Sequence, residues 1–293
     1  MKNKSFESFM KGIFILSAMT SIISIVLICV FIFSGGVPFI KSYGLKNFLL
    51  GTQWKPSNSP PSYGILPMIL GSLYVTIGAV IIGVPVGVLT ATYLSKFANK
   101  RLYKFLKPSV NLMAGIPSIV YGFFALTALV PVIRNFFGGT GMNIISASIL
   151  LGIMILPTII GISEAAIRAV PESYYEGSVA LGASHERAIV SVVLPAAKSG
   201  IISSIILGIG RAIGETMAVI LVAGNQARMP QGITKGVRTL TTNIVMDMAY
   251  AADAHREALI ATAVVLFVFI LIINGLFFIV KRRTLNWINL LDI

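Results

Sequence analysis

The sequence predicts an all-α membrane protein with six transmembrane helices and both termini in the cytoplasm. Only 11% of the 293 residues are charged, whereas a soluble domain carries about a quarter. Hydrophobic residues make up 56% of the chain, and they form runs of about 20 or more, the length that crosses a bilayer as a helix. Short clusters of Lys and Arg separate these runs, as in loops that flank membrane spans.

Six apolar runs are long enough to cross a membrane. The predicted spans are residues 12–34, 64–95, 109–133, 143–167, 196–222 and 258–280. The first run is longer than the apolar part of a signal peptide and lacks its cleavage site, so it is predicted to remain as a span. Gly115-Ile116-Pro117-Ser118 is expected to bend the third span.

The positions of the basic residues predict the orientation. With the N-terminus inside, 14 Lys and Arg residues fall on the cytoplasmic side and 8 on the outside, and Arg211 lies within a span. Cytoplasmic loops carry the excess of positive charge, so both termini are predicted to be inside. The chain then divides into a first span with an outer loop (1–63), a bundle (64–283) and a cytoplasmic tail (284–293).

Several classes of function are excluded by composition. The net charge is +13, but the basic residues are not interleaved with aromatic residues as they are in the basic grooves of nucleic-acid binders. Cys29 is the only cysteine, and His185 and His255 are far apart, so neither a disulfide nor a metal site is predicted. The sequence also lacks paired carboxylates or a His/Cys constellation. We therefore expect no catalytic residue, no metal and no cofactor.

The inside segment between spans four and five, residues 168–195, has the most specific pattern. Pro171 suits the first turn of a helix, and Glu172 to Leu181 is predicted to be helical. Gly182 should end this helix in a left-handed conformation, and Ser184 can cap a second one. Such a helix–Gly–helix segment would form a rigid docking element, although a packed loop without a partner is the alternative.

This segment resembles the cytoplasmic motif of ABC importer permeases, E-A-A, three residues, G, nine residues, I-x-L-P. Glu176-Gly177-Ser178 corresponds to the first part, Gly182 to the glycine, and Val192, Leu194 and Pro195 to the end. Glu164-Ala165-Ala166 is a false match, since Val170 lies where the glycine should be. The departures exchange small for small and apolar for apolar residues. The resemblance implies a type I ABC importer permease bundle whose segment 171–195 docks on an ATP-binding subunit.

The fifth span carries two charged residues, Arg211 and Glu215. If 196–222 is one helix, Arg211 lies about 22 Å from its inner end and about 16 Å from its outer end. Glu215, four residues later, would share its face. The pair could neutralise itself and fix helix packing, or the guanidinium could line the path of an anion. The second interpretation is favoured because charges within spans are usually functional, and an Arg fork suits phosphate.

The block from Gly210 to Val219 resembles phosphate-importer permeases, where the corresponding Arg and Glu are linked to transport. The outer segment Gly51–Pro56, followed by Tyr63–Pro67, is similar to the PstC-type subunit rather than its PstA-type sister. The resemblance extends over residues 45–283. It implies a phosphate pathway shared with a PstA-like sister permease, two ATP-binding subunits and an extracytoplasmic phosphate-binding protein, in the bacterial cytoplasmic membrane.

The chain has no G-x-x-x-x-G-K-S/T phosphate loop, so it is predicted to be a transport subunit without its own ATPase site. Two alternatives remain open. One is a permease for another oxyanion, such as sulfate, molybdate or phosphonate, because a single Arg does not separate these. The other is a membrane sensor that docks a signalling protein and transports nothing.

Overall fold

The computed structural model describes the backbone of residues 4–291 and the side chains of residues 6–276 and 279. The described residues form fourteen α-helices, one two-stranded hairpin and three short π-helical segments, Tyr93–Phe97, Ala125–Leu129 and Ile189–Val193. The helices are α1 Lys4–Tyr43, α2 Leu45–Leu50, α3 Leu66–Thr92, α4 Lys100–Gly115, α5 Ser118–Phe124, α6 Val130–Phe137, α7 Ile144–Arg168, α8 Glu172–Ala180, α9 His185–Ala188, α10 Leu194–Ala196, α11 Lys198–Gly214, α12 Met217–Val222, α13 Leu240–Met248 and α14 Asp253–Leu291. The strands β1 Trp54–Lys55 and β2 Ser62–Tyr63 pair antiparallel.

The six predicted spans correspond to five long apolar helical segments and one bent pair. The five segments are Phe6–Tyr43, Leu66–Phe97, Ser118–Phe137, Ile144–Arg168 and Asp253–Leu276, and the bent pair is His185–Ala196 with Lys198–Gly214. Within the described residues, the all-α membrane fold is therefore confirmed. The side of the membrane on which each terminus lies stays a prediction.

The predicted third span, 109–133, is wrong at its inner end. The chain breaks at Ile116 and Pro117, whose ψ angles of 127° and 141° are extended, because a proline disfavours helical backbone in the residue before it. The residues before the break belong to α4, which Asn99 caps at its N-terminus. The span itself runs from Ser118 to Phe137, so the expected bend is a complete break.

The predicted fifth span is also not one helix. The chain bends by 69° between His185–Ala196 and Lys198–Gly214, so the inner helix ends one residue beyond the predicted segment 168–195. A second break follows α11, where Glu215 is extended with ψ 131° before α12 begins at Met217. Within the predicted range 196–222 the chain therefore forms α11 and α12, joined by an irregular turn.

Close contact between α3 and α7 forms the centre of the bundle. A Cβ on Gly83 would lie 2.7 Å from the carbonyl oxygen of Gly152, and one on Gly87 would lie 2.7 Å from Ile159. Small residues let helices approach in lipid, where packing rather than the hydrophobic effect holds them together. Buried side chains of α7, including Ile155 and Ile159, extend this core toward α11 and α12.

Helix α1 stands apart from this core, and none of the residues in its apolar window is buried within the chain. It continues nine residues beyond the predicted end of the first span, to Tyr43, because Phe39 and Tyr43 pack on the hairpin residue Tyr63. The predicted outer loop 35–63 therefore contains the end of α1, helix α2 and the β1–β2 hairpin.

The connection between the fifth and sixth predicted spans, residues 223–257, contains a short helix. Helix α13 covers Leu240–Met248, and Thr239 caps it by exchanging hydrogen bonds with Thr242. The sixth span begins at Asp253 rather than 258. Its helix continues to Leu291, so the predicted tail 284–293 is helical as far as that residue, and its last two positions lie outside the described residues.

Candidate functional site

Arg211 lies in the last turn of α11, about 20 Å along the helix from Lys198. Its side chain is exposed on the surface of the chain, whereas the next two residues, Ala212 and Ile213, are buried in the bundle. An arginine that faced lipid at this depth would cost about 2.5–3.5 kcal/mol on insertion scales. The guanidinium must therefore face water or another protein chain.

Glu215 does not share a helical face with Arg211, contrary to the sequence prediction. Helix α11 ends at Gly214, and Glu215 lies in the break. Its carboxylate accepts a hydrogen bond from the backbone N–H of Ala218 at 3.2 Å, so it caps α12. No ion pair joins it to Arg211 among the side chains that the structure describes. The interpretation of a self-neutralising pair is therefore not supported.

Hydroxyl groups surround this break. Glu215 shares a small enclosed space with Ser72, Thr76 and Thr239, and its carbonyl accepts a hydrogen bond from the hydroxyl of Thr241 at 3.1 Å. Ser72 accepts a hydrogen bond from the backbone N–H of Leu240 at 2.9 Å. A broken span whose irregular backbone is satisfied by polar neighbours is typical of transporter binding sites.

The third span packs against the fifth beside its break. A Cβ on Gly122 would lie 2.8 Å from the Cα of Ala218, and Tyr121 packs against the core that contains Ala212 and Ala218. The Tyr121 hydroxyl donates a hydrogen bond to the carbonyl of Met113 at 2.9 Å, across the break at Ile116 and Pro117. Tyr121 therefore contacts both sides of the break in the third span, and the sequence pattern alone did not single it out.

The docking segment has the helix–Gly–helix form that the sequence predicts. Helix α8 ends at Ala180, and Gly182 takes the left-handed conformation with φ +90°. Ser184 then caps α9 by accepting a hydrogen bond from the N–H of Arg187 at 3.4 Å. Glu176 is exposed on α8. Glu164, in the false match, lies buried within α7 and not in this segment.

The exposed side of the docking segment is apolar and concave. Leu181 is 92% exposed, and with Gly182 and Val192 it lines an open concavity of about 710 Å³. At the far end of the segment Pro195 is exposed, while Leu194 packs partly against the inner core. Exposed apolar surface is a general feature of protein interaction sites, and the docking role of this segment stays a prediction.

A buried carboxylate, that of Glu164, lies at the inner end of α7 and was not among the predicted site residues. The Glu164 side chain is 3% exposed. Its oxygens accept hydrogen bonds from Lys107 Nζ at 2.6 Å, the Tyr103 hydroxyl at 2.8 Å and Arg168 Nε at 2.9 Å. We call these four residues the Glu164 cluster. Two of its members lie on α4 and two on α7.

The hydrogen bond to Glu164 raises the pKa of Tyr103, so this hydroxyl stays protonated and keeps donating to the carboxylate. The Arg168 guanidinium also lies over the Tyr103 ring, 4.4 Å from its centre. Burying a carboxylate is costly unless it is paired and hydrogen-bonded. The contacts of the Glu164 cluster meet that requirement and fasten α4 to α7.

A second polar cluster lies on the outer side, around Asp247. Its carboxylate accepts hydrogen bonds from Trp54 Nε1 and from Arg238 NH1, each at 3.3 Å, and His255 Nε2 lies 3.6 Å away. The His255 ring also contacts the Trp54 ring edge-on. These contacts fix the hairpin to the start of the sixth span. The spacing of these residues in the sequence gave no signal for the cluster.

Bundled apolar helices with two interrupted spans near a buried polar site are typical of multi-pass membrane transport proteins. A family model described as "Binding-protein-dependent transport system inner membrane component" matches residues 83–286. The chain belongs to this family, the inner-membrane permeases of ABC importers.

Curated relatives cover most of the chain. A probable ABC transporter permease protein, YqgH, of Bacillus subtilis is 40% identical, with 78% of this chain and 76% of the relative covered. A probable phosphate transport system permease protein, PstC, of Methanocaldococcus jannaschii is 32% identical, with 88% and 89% covered. The PstC of Haemophilus influenzae is 29% identical, with 89% of both chains covered.

Solved structures support the fold. A bacterial ABC transporter for the import of alginate superposes with a TM-score of 0.63 at 16% identity, covering 95% of this chain and 99% of that one. The MetNI methionine ABC transporter in an inward-facing form superposes with a TM-score of 0.58 at 22% identity, covering 75% and 94%. The bundle is therefore that of a type I ABC importer permease.

Proposed function

We propose that this chain forms, with a sister permease, the membrane pathway of an ATP-driven importer of inorganic phosphate. The observation that carries the proposal is the exposed guanidinium of Arg211 beside the break in the fifth span. A planar guanidinium donates two parallel hydrogen bonds to a phosphate and remains charged at every physiological pH. The names of the PstC relatives support phosphate as the anion.

Glu215 acts in this pathway by shaping the break rather than by pairing with Arg211. Its carboxylate caps α12 through the N–H of Ala218, which leaves the guanidinium free to bind an anion. The negative charge also lies near the N-terminus of α12, where it is stabilised by the backbone amides. Neutralising Glu215 should therefore change the geometry of the break, and with it the position of Arg211.

The partners follow from the arrangement of surfaces. A PstA-like sister permease would cover the exposed side of Arg211 and complete the pathway. Two ATP-binding subunits would bind below, with Glu176, Gly182, Leu194 and Pro195 of segment 171–195 at the contact with one of them. A phosphate-binding protein would deliver its ligand from outside. One of the solved structures is named as a complex of an alginate transporter with its periplasmic protein, which supports this mode of assembly.

Transport would proceed by alternating access. ATP binding closes the two ATP-binding subunits, moves the docking segments and opens the bundle outward, so that phosphate passes from the binding protein to Arg211. Hydrolysis then returns the bundle to its inward-facing state. ATP can shift this equilibrium only if the docking contacts differ in free energy between the two states. The exposed concavity around Leu181 and Gly182 offers a surface for such differential contact.

A permease for a different oxyanion is the second candidate. Sulfate, molybdate and phosphonate would also bind a guanidinium, and the name of the Bacillus subtilis relative gives no substrate. Uptake of labelled phosphate by the reconstituted complex, with each unlabelled oxyanion added in excess, separates the candidates. We expect only phosphate to compete. Loss of the labelled signal with sulfate or molybdate would overturn the phosphate assignment while leaving the permease assignment intact.

A further inference from the structure

The Glu164 cluster lies between the docking segment and the broken spans. Arg168 is the last residue of α7, and three residues separate it from the start of α8 at Glu172. Its guanidinium donates a hydrogen bond to the carbonyl of Leu94, in the helical turn that extends α3, at 3.2 Å. Glu172, the first residue of α8, forms an ion pair with Lys96 at 3.3 Å. The inner ends of α3, α7 and α8 are therefore held together by charged contacts.

The same cluster extends to the pathway side through α4. Lys107 and Tyr103 fasten α4 to Glu164, and α4 ends at Gly115 immediately before the break. Across this break Tyr121 donates its hydrogen bond to Met113 on α4. A displacement of α4 would therefore change the position of Tyr121, which packs against the core that contains Ala212 and Ala218, on the two sides of the break in the fifth span.

We propose that Glu164 is a positioning residue that makes α4 and α7 move as one body, so that motion of the docking segment reaches the break in the third span. The inference rests on the proposed docking role of segment 171–195. Its physical basis is the burial of the carboxylate, because separating α4 from α7 would remove two of its three donors, Tyr103 and Lys107, and breaking the partners of a buried charge is unfavourable. The nearby ion pair of Lys96 and Glu172 lies at the surface of the chain, where the Glu172 side chain is 63% exposed, so it contributes far less.

Glu164→Gln tests the proposal in the reconstituted complex, because it keeps the shape of the side chain and removes its charge. We expect the ATP-binding subunits to remain bound and ATP hydrolysis to continue. The number of anions transported per ATP should fall about tenfold or more. A purely structural role would lower assembly and leave the ratio in the assembled fraction unchanged. An unchanged ratio would overturn the proposal.

Two further variants keep the test decisive. Lys107→Met removes the charged contact between α4 and Glu164 and leaves the contacts of Glu164 with Tyr103 and Arg168, so it should also lower the transport ratio, even where Glu164→Gln fails to assemble. Lys104→Met removes an exposed lysine of the same helix and should leave the ratio unchanged. If Lys107→Met stays coupled, or if Lys104→Met uncouples equally, the proposal is wrong.

The outcome is separable from that of the proposed function. The competition experiment on the wild-type complex identifies the anion. The number of anions transported per ATP by each variant, relative to wild type, tests the role of Glu164 whichever anion is carried. Variants of the docking segment should weaken binding of the ATP-binding subunits. Glu164→Gln should leave that binding intact, so failure of the docking role would appear in a different measurement.

Discussion

Replacement of Gly182 by alanine tests the docking segment most selectively. Gly182 has φ +90°, and a Cβ built on it meets no atom within 4 Å. The substitution therefore adds no steric clash, and its cost comes from the left-handed backbone alone. That cost is about 1–2 kcal/mol for an L-residue with a side chain. If the ATP-binding subunit binds only the segment with its left-handed turn at Gly182, the affinity for that subunit should fall by a factor of about 5–30.

The assay measures binding of the purified ATP-binding subunit to the permease in detergent or nanodiscs, together with ATP-driven uptake in vesicles. Gly139→Ala is the matched control, because Gly139 also has a left-handed φ of +71° and no atom within 4 Å of its Cβ. It lies in the turn that follows the third span, and so it should not affect binding. Equal affinity for wild type and Gly182→Ala would refute the role of this turn in docking.

Three other predictions concern packing and the outer cluster. Gly83→Val should lower the yield of folded complex, because a Cβ at this position would lie 2.7 Å from the Gly152 carbonyl oxygen. Gly161→Ala should leave the yield unchanged, because a Cβ there meets no atom within 4 Å. Size-exclusion profiles measure the yield of both variants. Thr239→Ala should destabilise α13 by about 1 kcal/mol through loss of its N-cap, measured as earlier thermal unfolding, and an unchanged midpoint would contradict this. Asp247→Asn should loosen the hairpin, seen as faster proteolysis within 51–63, and an unchanged rate would show that the carboxylate is not needed there.

Helix content and the docking segment could be predicted from the sequence because their signals are local. Long apolar runs define the spans, and Gly182 and Ser184 are recognisable as end and cap from their neighbours alone. The resemblance to the family motif identified Glu176 and Gly182 as the residues that occupy its Glu and Gly positions in this segment. In each case the residues that decide the structure lie within a few positions of one another.

The interruptions of the spans were harder to predict. Glu215 lies between Gly214 and Thr216 within a long apolar run, so the sequence predicted a continuous helix through it. Only the contacts of its carboxylate with Ala218 and of its carbonyl with Thr241 show why the helix stops. Pro117 indicated that the third span is bent, but a bend and a complete break have the same local sequence pattern.

The Glu164 cluster could not be predicted because its partners are distant in sequence. Tyr103 and Lys107 precede Glu164 by 61 and 57 residues, and only the packing of α4 on α7 brings them together. From hydropathy alone, a carboxylate near the end of a span is expected to reach water. Three nearby donors make burial favourable instead.

Uptake of labelled phosphate by vesicles that contain the complete complex and enclosed ATP tests the central role of Arg211 most directly. The account predicts that Arg211→Gln abolishes uptake although the complex assembles with all of its subunits. Normal uptake by assembled Arg211→Gln would contradict the account.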